Sequence, residues 1–290
     1  MFSGIYTALI TPFKNGQFDE SAFKNILDKQ ITAGVSGVVP CGTTGESPTL
    51  SHDEHNRVIE LCVAHVAGKI QVIAGTGSNS TEEAIATTKH AEQVGADAAL
   101  IVAPYYNKPT ELGLFEHFKA IHDSSNIPII LYNIPGRSVI NMSVALQAEL
   151  AKLPRIVGVK DATGDLALPT KIAKTIGADF VQLSGEDATL LPFYVAGGHG
   201  CISVTANIVP ELCVKLHQLW QAGQVKEAQH LQEQLVELNE YLFAETNPIP
   251  VKYAAAQIGL CFPEIRLPLT ELGAQHRATL DQALKNLNLC

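Results

Sequence analysis

The chain has 290 residues, of which 46% are hydrophobic and 17% charged, with a net charge of −9 and a pI near 5.5. That is enough apolar material for one large core, which a closed α/β barrel of this length uses as a single unit. The acidic balance speaks against nucleic acid or an anionic membrane surface as the main partner, since both need clustered Lys and Arg, and no apolar stretch reaches bilayer length.

The N-terminus, Met1 to Tyr6, lacks the basic segment and long apolar run of a signal peptide. The six cysteines are scattered without a CxxC pair, as free thiols in a reducing compartment would be. A cytoplasmic location is expected.

The first apolar run is Ile5–Ile10, and Asp19 then caps a helix through Phe23, Ile26 and Leu27 to Gly34. The second run, Val35–Pro40, ends in Cys41-Gly42-Thr43-Thr44-Gly45-Glu46-Ser47. Two glycines let the backbone bend so that successive N–H groups form a nest for a carboxylate, and Thr43 and Thr44 add hydroxyls. A plain tight turn fits the same residues. Ser51 and Glu54 form a capping box for a helix whose apolar positions are Val58, Ile59, Leu61, Cys62 and Val66. His52 and His55 share a face of it, but no third ligand lies nearby, so a metal site is rejected.

Gln71–Gly75 is the third run. The Gly75-Thr76-Gly77-Ser78-Asn79-Ser80 that follows lacks the third glycine of a dinucleotide loop, so nucleotide binding is not expected. Ser80 and Glu83 predict a second capping box, opening a helix that stops near Gly95. The later runs are Ala98–Ala103, Ile129–Tyr132, Ile156–Lys160, Phe180–Ser184 and Cys201–Val204. After about residue 222 the strand signal disappears. Residues 224–245, Val251–Ile258 and 271–287 read as helices.

Eight apolar runs, each followed by a helical pattern, predict parallel strands with right-handed crossovers. The expected class is α/β, a (β/α)8 TIM barrel over residues 1–223, with C-terminal helices over 224–290 packed on it. An open doubly wound sheet is the alternative.

Chemistry in a parallel barrel gathers where strands end. Lys160 closes an unbroken apolar run, so its stem lies in an apolar wall. Desolvation disfavours an ammonium there, and a free amine attacks ketones to form a Schiff base. From the hexapeptide alone, a lysine that only snorkels to water is the default reading, and the rest of the chain decides. Tyrosines close the fourth and fifth runs, and a phenol beside an amine can shuttle protons, although a tyrosine there can also be an amphipathic wall. Arg137, after a Pro-Gly bend, offers a forked donor to a carboxylate. The glycines around Ser184-Gly185-Glu186 and Gly197-Gly198-His199-Gly200 let backbone approach a ligand, and His199 reads as structural.

Seven blocks carry a resemblance over essentially the whole chain: GTTGE at 42–46, PYYNKP at 104–109, YNIPGR at 132–137, VGVKDATGD at 157–165, LSGED at 183–187, GGHGCISVTAN at 197–207 and NPIPVKYA at 247–254. Together they resemble the N-acetylneuraminate lyase superfamily of Schiff-base-forming barrels. Within it they resemble the dihydrodipicolinate synthase family, which condenses pyruvate with L-aspartate 4-semialdehyde in lysine and diaminopimelate biosynthesis. Arg137 and the Asn247–Lys252 segment separate that family from the sugar-acid lyases, which are the runner-up. A silent sensor of keto or amino acids is a third reading.

The resemblance implies that Lys160 forms the imine and that Tyr132 is the acid/base. Thr43 and Tyr106 extend it into a relay, with Tyr106 reaching in from a neighbouring subunit of a homo-oligomer, commonly a dimer of dimers. Thr44 with Thr43 holds the pyruvate carboxylate, Ile202 and Gly185 line the pocket, and Arg137 takes the carboxylate of the aldehyde. No cofactor is implied. Inhibition by L-lysine is implied at Ser47, Pro48, His52, His55, Asn79, Glu83 and Tyr105, where Pro48 replaces an expected alanine but retains the backbone carbonyl.

Overall fold

Apolar runs without alternation need cover on both faces, and here they receive it. A computed structural model describes residues 2–290. Its strands β1 (Gly4–Ala8), β2 (Gly37–Val39), β3 (Gln71–Gly75), β4 (Ala98–Val102), β5 (Ile129–Asn133), β6 (Ile156–Asp161), β7 (Val181–Ser184) and β8 (Gly200–Ser203) form a closed parallel barrel. The first strand closes the ring, pairing with β8 through Gly4↔Gly200 and with β2 through Tyr6↔Gly37. The chain is therefore a (β/α)8 barrel, and the open-sheet alternative falls. All eight expected strands are present, and the first, second, fourth and seventh are shorter than their apolar runs.

Two apolar layers hold the barrel. Tyr6, Val39, Ile73, Leu100, Ile130, Leu183 and Ile202 fill the interior. Outside, the strands pack against helices α1 (Glu20–Ala33), α2 (His52–Val66), α3 (Thr81–Val94), α4 (Glu111–Ser124), α5 (Val144–Leu150), α6 (Leu168–Thr175), α7 (Leu190–Val195) and α8 (Pro210–Gln221) through residues such as Phe23, Ile59, Phe118 and Ile172. A two-stranded hairpin, Phe13–Lys14 with Gln17–Phe18, follows β1 and was not foreseen.

Local signals set most helix ends. Asp19 accepts from the Ala22 amide, and α1 stops at Gly34, whose φ of 74° is left-handed. The Ser51–Glu54 box forms in full. The expected second box forms only in half. Ser80 accepts from the Glu83 amide, but the Glu83 carboxylate turns to the Ser78 hydroxyl at 2.7 Å, and Ser78 accepts the Ser80 amide in its place.

Beyond the barrel, the expected helix over 224–245 divides into α9 (Val225–Gln234) and α10 (Val236–Tyr241) around Leu235. Helices α11 (Ile249–Gln257) and α12 (Ala274–Asn286) follow. Leu231, Leu238, Val251, Leu280 and Leu284 join the same apolar cluster as Ile5 and Cys201 of the barrel. Among the described residues no helix is long and apolar enough to cross a membrane.

Candidate active site

Ladder register fixes where Lys160 points. It lies beside Tyr132 on β5 and Leu183 on β7, in one row across three parallel strands. Neighbours in a parallel row share a face. Tyr132 and Leu183 both point into the barrel, so Lys160 does too, one residue from the C-terminal end of β6. It is 6% exposed, and its amine lies 4.3 Å from the centre of the Tyr132 ring, itself 5% exposed. Gly185 makes room for it, since a Cβ there would lie 3.2 Å from Lys160 Cε and 2.8 Å from the Ala162 side chain. Ile202 is fully buried in the same interior layer. The turn after it is fixed by buried Asp187, whose carboxylate accepts from the Ser203 hydroxyl and from the amides of Val204 and Thr205.

The second half of the Thr43–Thr44 turn closes on itself. The amides of Gly45, Glu46 and Ser47 donate back to the carbonyls of Gly42, Thr43 and Gly42 and are consumed in closing the turn. Among the described residues, the amides of Gly42, Thr43 and Thr44 have no backbone acceptor, so any donation to a ligand falls to these three and to the hydroxyls. Thr44 is buried, and its hydroxyl oxygen accepts from the Asn247 side-chain amide at 3.0 Å. The Asn247 carbonyl accepts from the Arg137 guanidinium at 2.9 Å. One residue of the C-terminal region therefore touches both the threonine turn and the arginine. A cavity of about 240 Å³ opens between them, lined by Gly42, Thr43, Tyr132, Ile134, Arg137 and Ser138.

Charges around Lys160 are uneven. Burial raises the Glu186 carboxyl above its usual range, as does the nearby Asp187, while Lys160 pulls it back down. Burial also raises Asp161, against the Thr163 hydrogen bonds that lower it. Behind the threonine turn, Lys252 and Glu46 form an ion pair at 2.5 Å with side chains 1% and 2% exposed. Burial lowers the Lys252 amine, and the Glu46 charge opposes that shift. Among the described residues no group of three or more His, Cys, Asp or Glu side chains is placed to hold a metal.

The remaining site candidates spread over the rim. Tyr106 is 93% exposed with a left-handed φ of 69°, and it does not line the cavity of its own chain. Ser47, Pro48 and Tyr105 line the same cavity. His52 and Glu83 line a separate groove between α2 and α3. Asn79 donates to the Tyr105 carbonyl at 3.2 Å. The two histidines expected to share one open face are split. His52 is exposed, whereas His55 is buried and held down to a pKa of about 4, chiefly by desolvation. Sequence reasoning gave no role to Asn247, Glu46 or Lys252. The available signal was a lone lysine in the otherwise apolar Ile249–Ala256 stretch.

A closed barrel that turns a buried lysine into its C-terminal mouth, beside a phenol, belongs with the barrel enzymes that carry their chemistry at that end. Comparison with known proteins narrows the class. The profile of the Dihydrodipicolinate synthetase family matches residues 1–287, and the chain belongs to this family of enzymes. A 4-hydroxy-tetrahydrodipicolinate synthase of Rhodospirillum centenum is 58% identical over 93% of this chain and 92% of its own. The chloride-inhibited dihydrodipicolinate synthase of Acinetobacter baumannii, solved in complex with pyruvate, is 42% identical with a TM-score of 0.97 over 100% of both chains. The enzyme of Cyanidioschyzon merolae, solved with lysine bound, is 38% identical with a TM-score of 0.97 over 100% of this chain and 99% of that one.

Proposed function

We propose that this enzyme condenses pyruvate with L-aspartate 4-semialdehyde to give 4-hydroxy-tetrahydrodipicolinate, for lysine and diaminopimelate biosynthesis. The observation that carries the reading is the Lys160 amine over the Tyr132 ring at the barrel mouth. The amine adds to the pyruvate ketone and water leaves, giving an imine on Lys160. Loss of a methyl proton gives the enamine, whose carbon attacks the aldehyde and forms the new C–C bond. The amine of the second substrate then displaces Lys160, closing the ring and freeing the enzyme. The protonated imine on Lys160 serves as the electron sink, so the reaction draws on no added cofactor.

In this reading Tyr132 passes protons, Thr43 relays them, and Tyr106 completes the relay from a neighbouring subunit of a homo-oligomer. Its exposure in the single chain supports that arrangement. Thr43 and Thr44 hold the pyruvate carboxylate, with Ile202 and Gly185 shaping the pocket, and Arg137 takes the carboxylate of the aldehyde as a forked donor. L-Lysine inhibits by binding among Ser47, Pro48, His52, His55, Asn79, Glu83 and Tyr105. Of these, Ser47, Pro48 and Tyr105 also border the cavity, which gives the inhibitor a short path to the site.

Borohydride reduction in the presence of pyruvate, followed by intact mass and peptide mapping, tests the reading. Addition of one pyruvate unit at Lys160 is expected, and an unlabelled Lys160 rejects it. Semialdehyde-dependent pyruvate consumption, against pyruvate release from sialic acid or 2-keto-3-deoxygluconate, separates it from sugar-acid cleavage. Unchanged turnover at millimolar L-lysine would remove the inhibitory part alone.

A further inference from the structure

The threonine turn is held from behind by groups that take no part in the chemistry above. Glu46, which follows the turn, has a left-handed φ of 55°, a conformation that side-chain-bearing residues avoid unless their surroundings impose it. In that conformation its amide donates to the Thr43 carbonyl and closes the turn. Its carboxylate is fully engaged by distant chain, Oε1 accepting from the Lys252 amine at 2.5 Å and Oε2 from the Arg266 amide at 3.1 Å. The Lys252 amine also lies 4.2 Å from the centre of the Phe13 ring, so the hairpin after β1 packs on the same point. Five residues earlier, Asn247 grips the other side of the turn through Thr44. Because the Asn247 amide is the donor, the Thr44 hydroxyl hydrogen is left to point elsewhere, toward an acceptor such as a carboxylate.

We propose that Lys252 and Glu46 are positioning residues for the Thr43–Thr44 turn, their buried ion pair tying the turn to α11 and so fixing how it presents the two hydroxyls to the keto-acid carboxylate. The inference rests on the reading of that turn as the keto-acid subsite. A buried ion pair is an inefficient way to gain stability, since apolar side chains of similar volume commonly do as well. A carboxylate has a different merit here. Its two oxygens accept from two separate segments at once, which pins the direction of Glu46 and, through its backbone, of Thr43. Neutral replacements would preserve packing but loosen that direction.

The test uses the double variant Lys252→Met with Glu46→Gln, which leaves no unpaired charge buried and keeps an acceptor for the Arg266 amide. The single variant Glu46→Gln serves as a second arm, because the lysine it leaves can shed its proton. The readouts are melting temperature, kcat, KM for each substrate, and the extent of borohydride trapping at increasing pyruvate. Misplacing a binding group by about 1 Å can cost up to about a hundredfold, so KM for pyruvate and half-saturation of trapping are expected to rise about tenfold. In the same variants kcat at saturating pyruvate should fall far less. Wild-type trapping with unchanged pyruvate half-saturation in a folded variant overturns the inference, leaving the pair a purely structural contact. Absence of trapping in the wild type would instead remove the keto-acid reading beneath it.

Discussion

Lys160 and Gly185 form a unit, because a side chain at 185 would occupy the space through which the lysine stem extends. Gly185→Ala should therefore slow imine trapping by pyruvate while the far-ultraviolet spectrum stays native. Lys160→Ala should lose nearly all turnover and retain its fold, since the change enlarges a mouth instead of emptying a core; near-normal activity would reject the nucleophile. Tyr132→Phe keeps the ring beneath the amine and removes only the hydroxyl. A fall on the order of 10²–10⁴-fold in kcat is expected if that hydroxyl moves protons, and unchanged turnover would exclude the role.

Single residues were legible in the sequence when their task is local. An apolar strand ending on lysine announces a side chain at a barrel mouth, and a serine three residues before a glutamate announces a cap. Glu46 announces nothing, because its partner lies 206 residues away and only the fold brings the two together. The second capping box was misread for a related reason. Two serines compete near Glu83, and the rigid turn after β3 decides in favour of Ser78.

At the scale of elements, Arg266 ties three segments together. Its guanidinium holds both oxygens of Glu54 in the first turn of α2, donates to the Thr49 and Gly16 carbonyls, and stacks 4.1 Å from the centre of the Phe13 ring. The Arg266 hydrogen bonds, aided by the Ser51 amide, depress the Glu54 pKa from 4.5 to about 2. A carboxyl with a depressed folded-state pKa stabilises the fold above its unfolded value and loses that contribution as pH falls through the folded one. The melting-temperature gap between wild type and Glu54→Gln should thus be widest above pH about 4.5 and narrow towards pH about 2. A gap that is constant across this range would show that the pair adds no pH-dependent stability. Ser51→Ala, which removes the other half of the same helix start, should cost about 1 kcal/mol in denaturant unfolding.

The eight strands were readable because each is covered on both faces and so carries an uninterrupted apolar run. The C-terminal helices were readable as helices, but their division at Leu235 was not. Residues on both sides of it pack into one core cluster, and the sequence across the break keeps a helical pattern.

For the whole molecule, the proposal that Tyr106 serves a neighbouring subunit makes a prediction that no single-chain property can imitate. Lys160→Ala and Tyr106→Phe subunits are each defective, but a hybrid dimer contains one site with both groups intact. If each variant is inactive alone, random reassociation makes half the dimers hybrid with one intact site of two, so activity should approach about a quarter of wild type. No gain on reassociation would place the relay within one chain.

The clamp at Asn247, Lys252 and Arg266 also bears on how the molecule is made. A ribosome releases these positions after the residues of all eight strands. A nascent polypeptide interrupted just short of Asn247 would hold every strand residue but none of the groups that brace the entrance. Synthesis must pass Arg266 before the entrance can take its working shape.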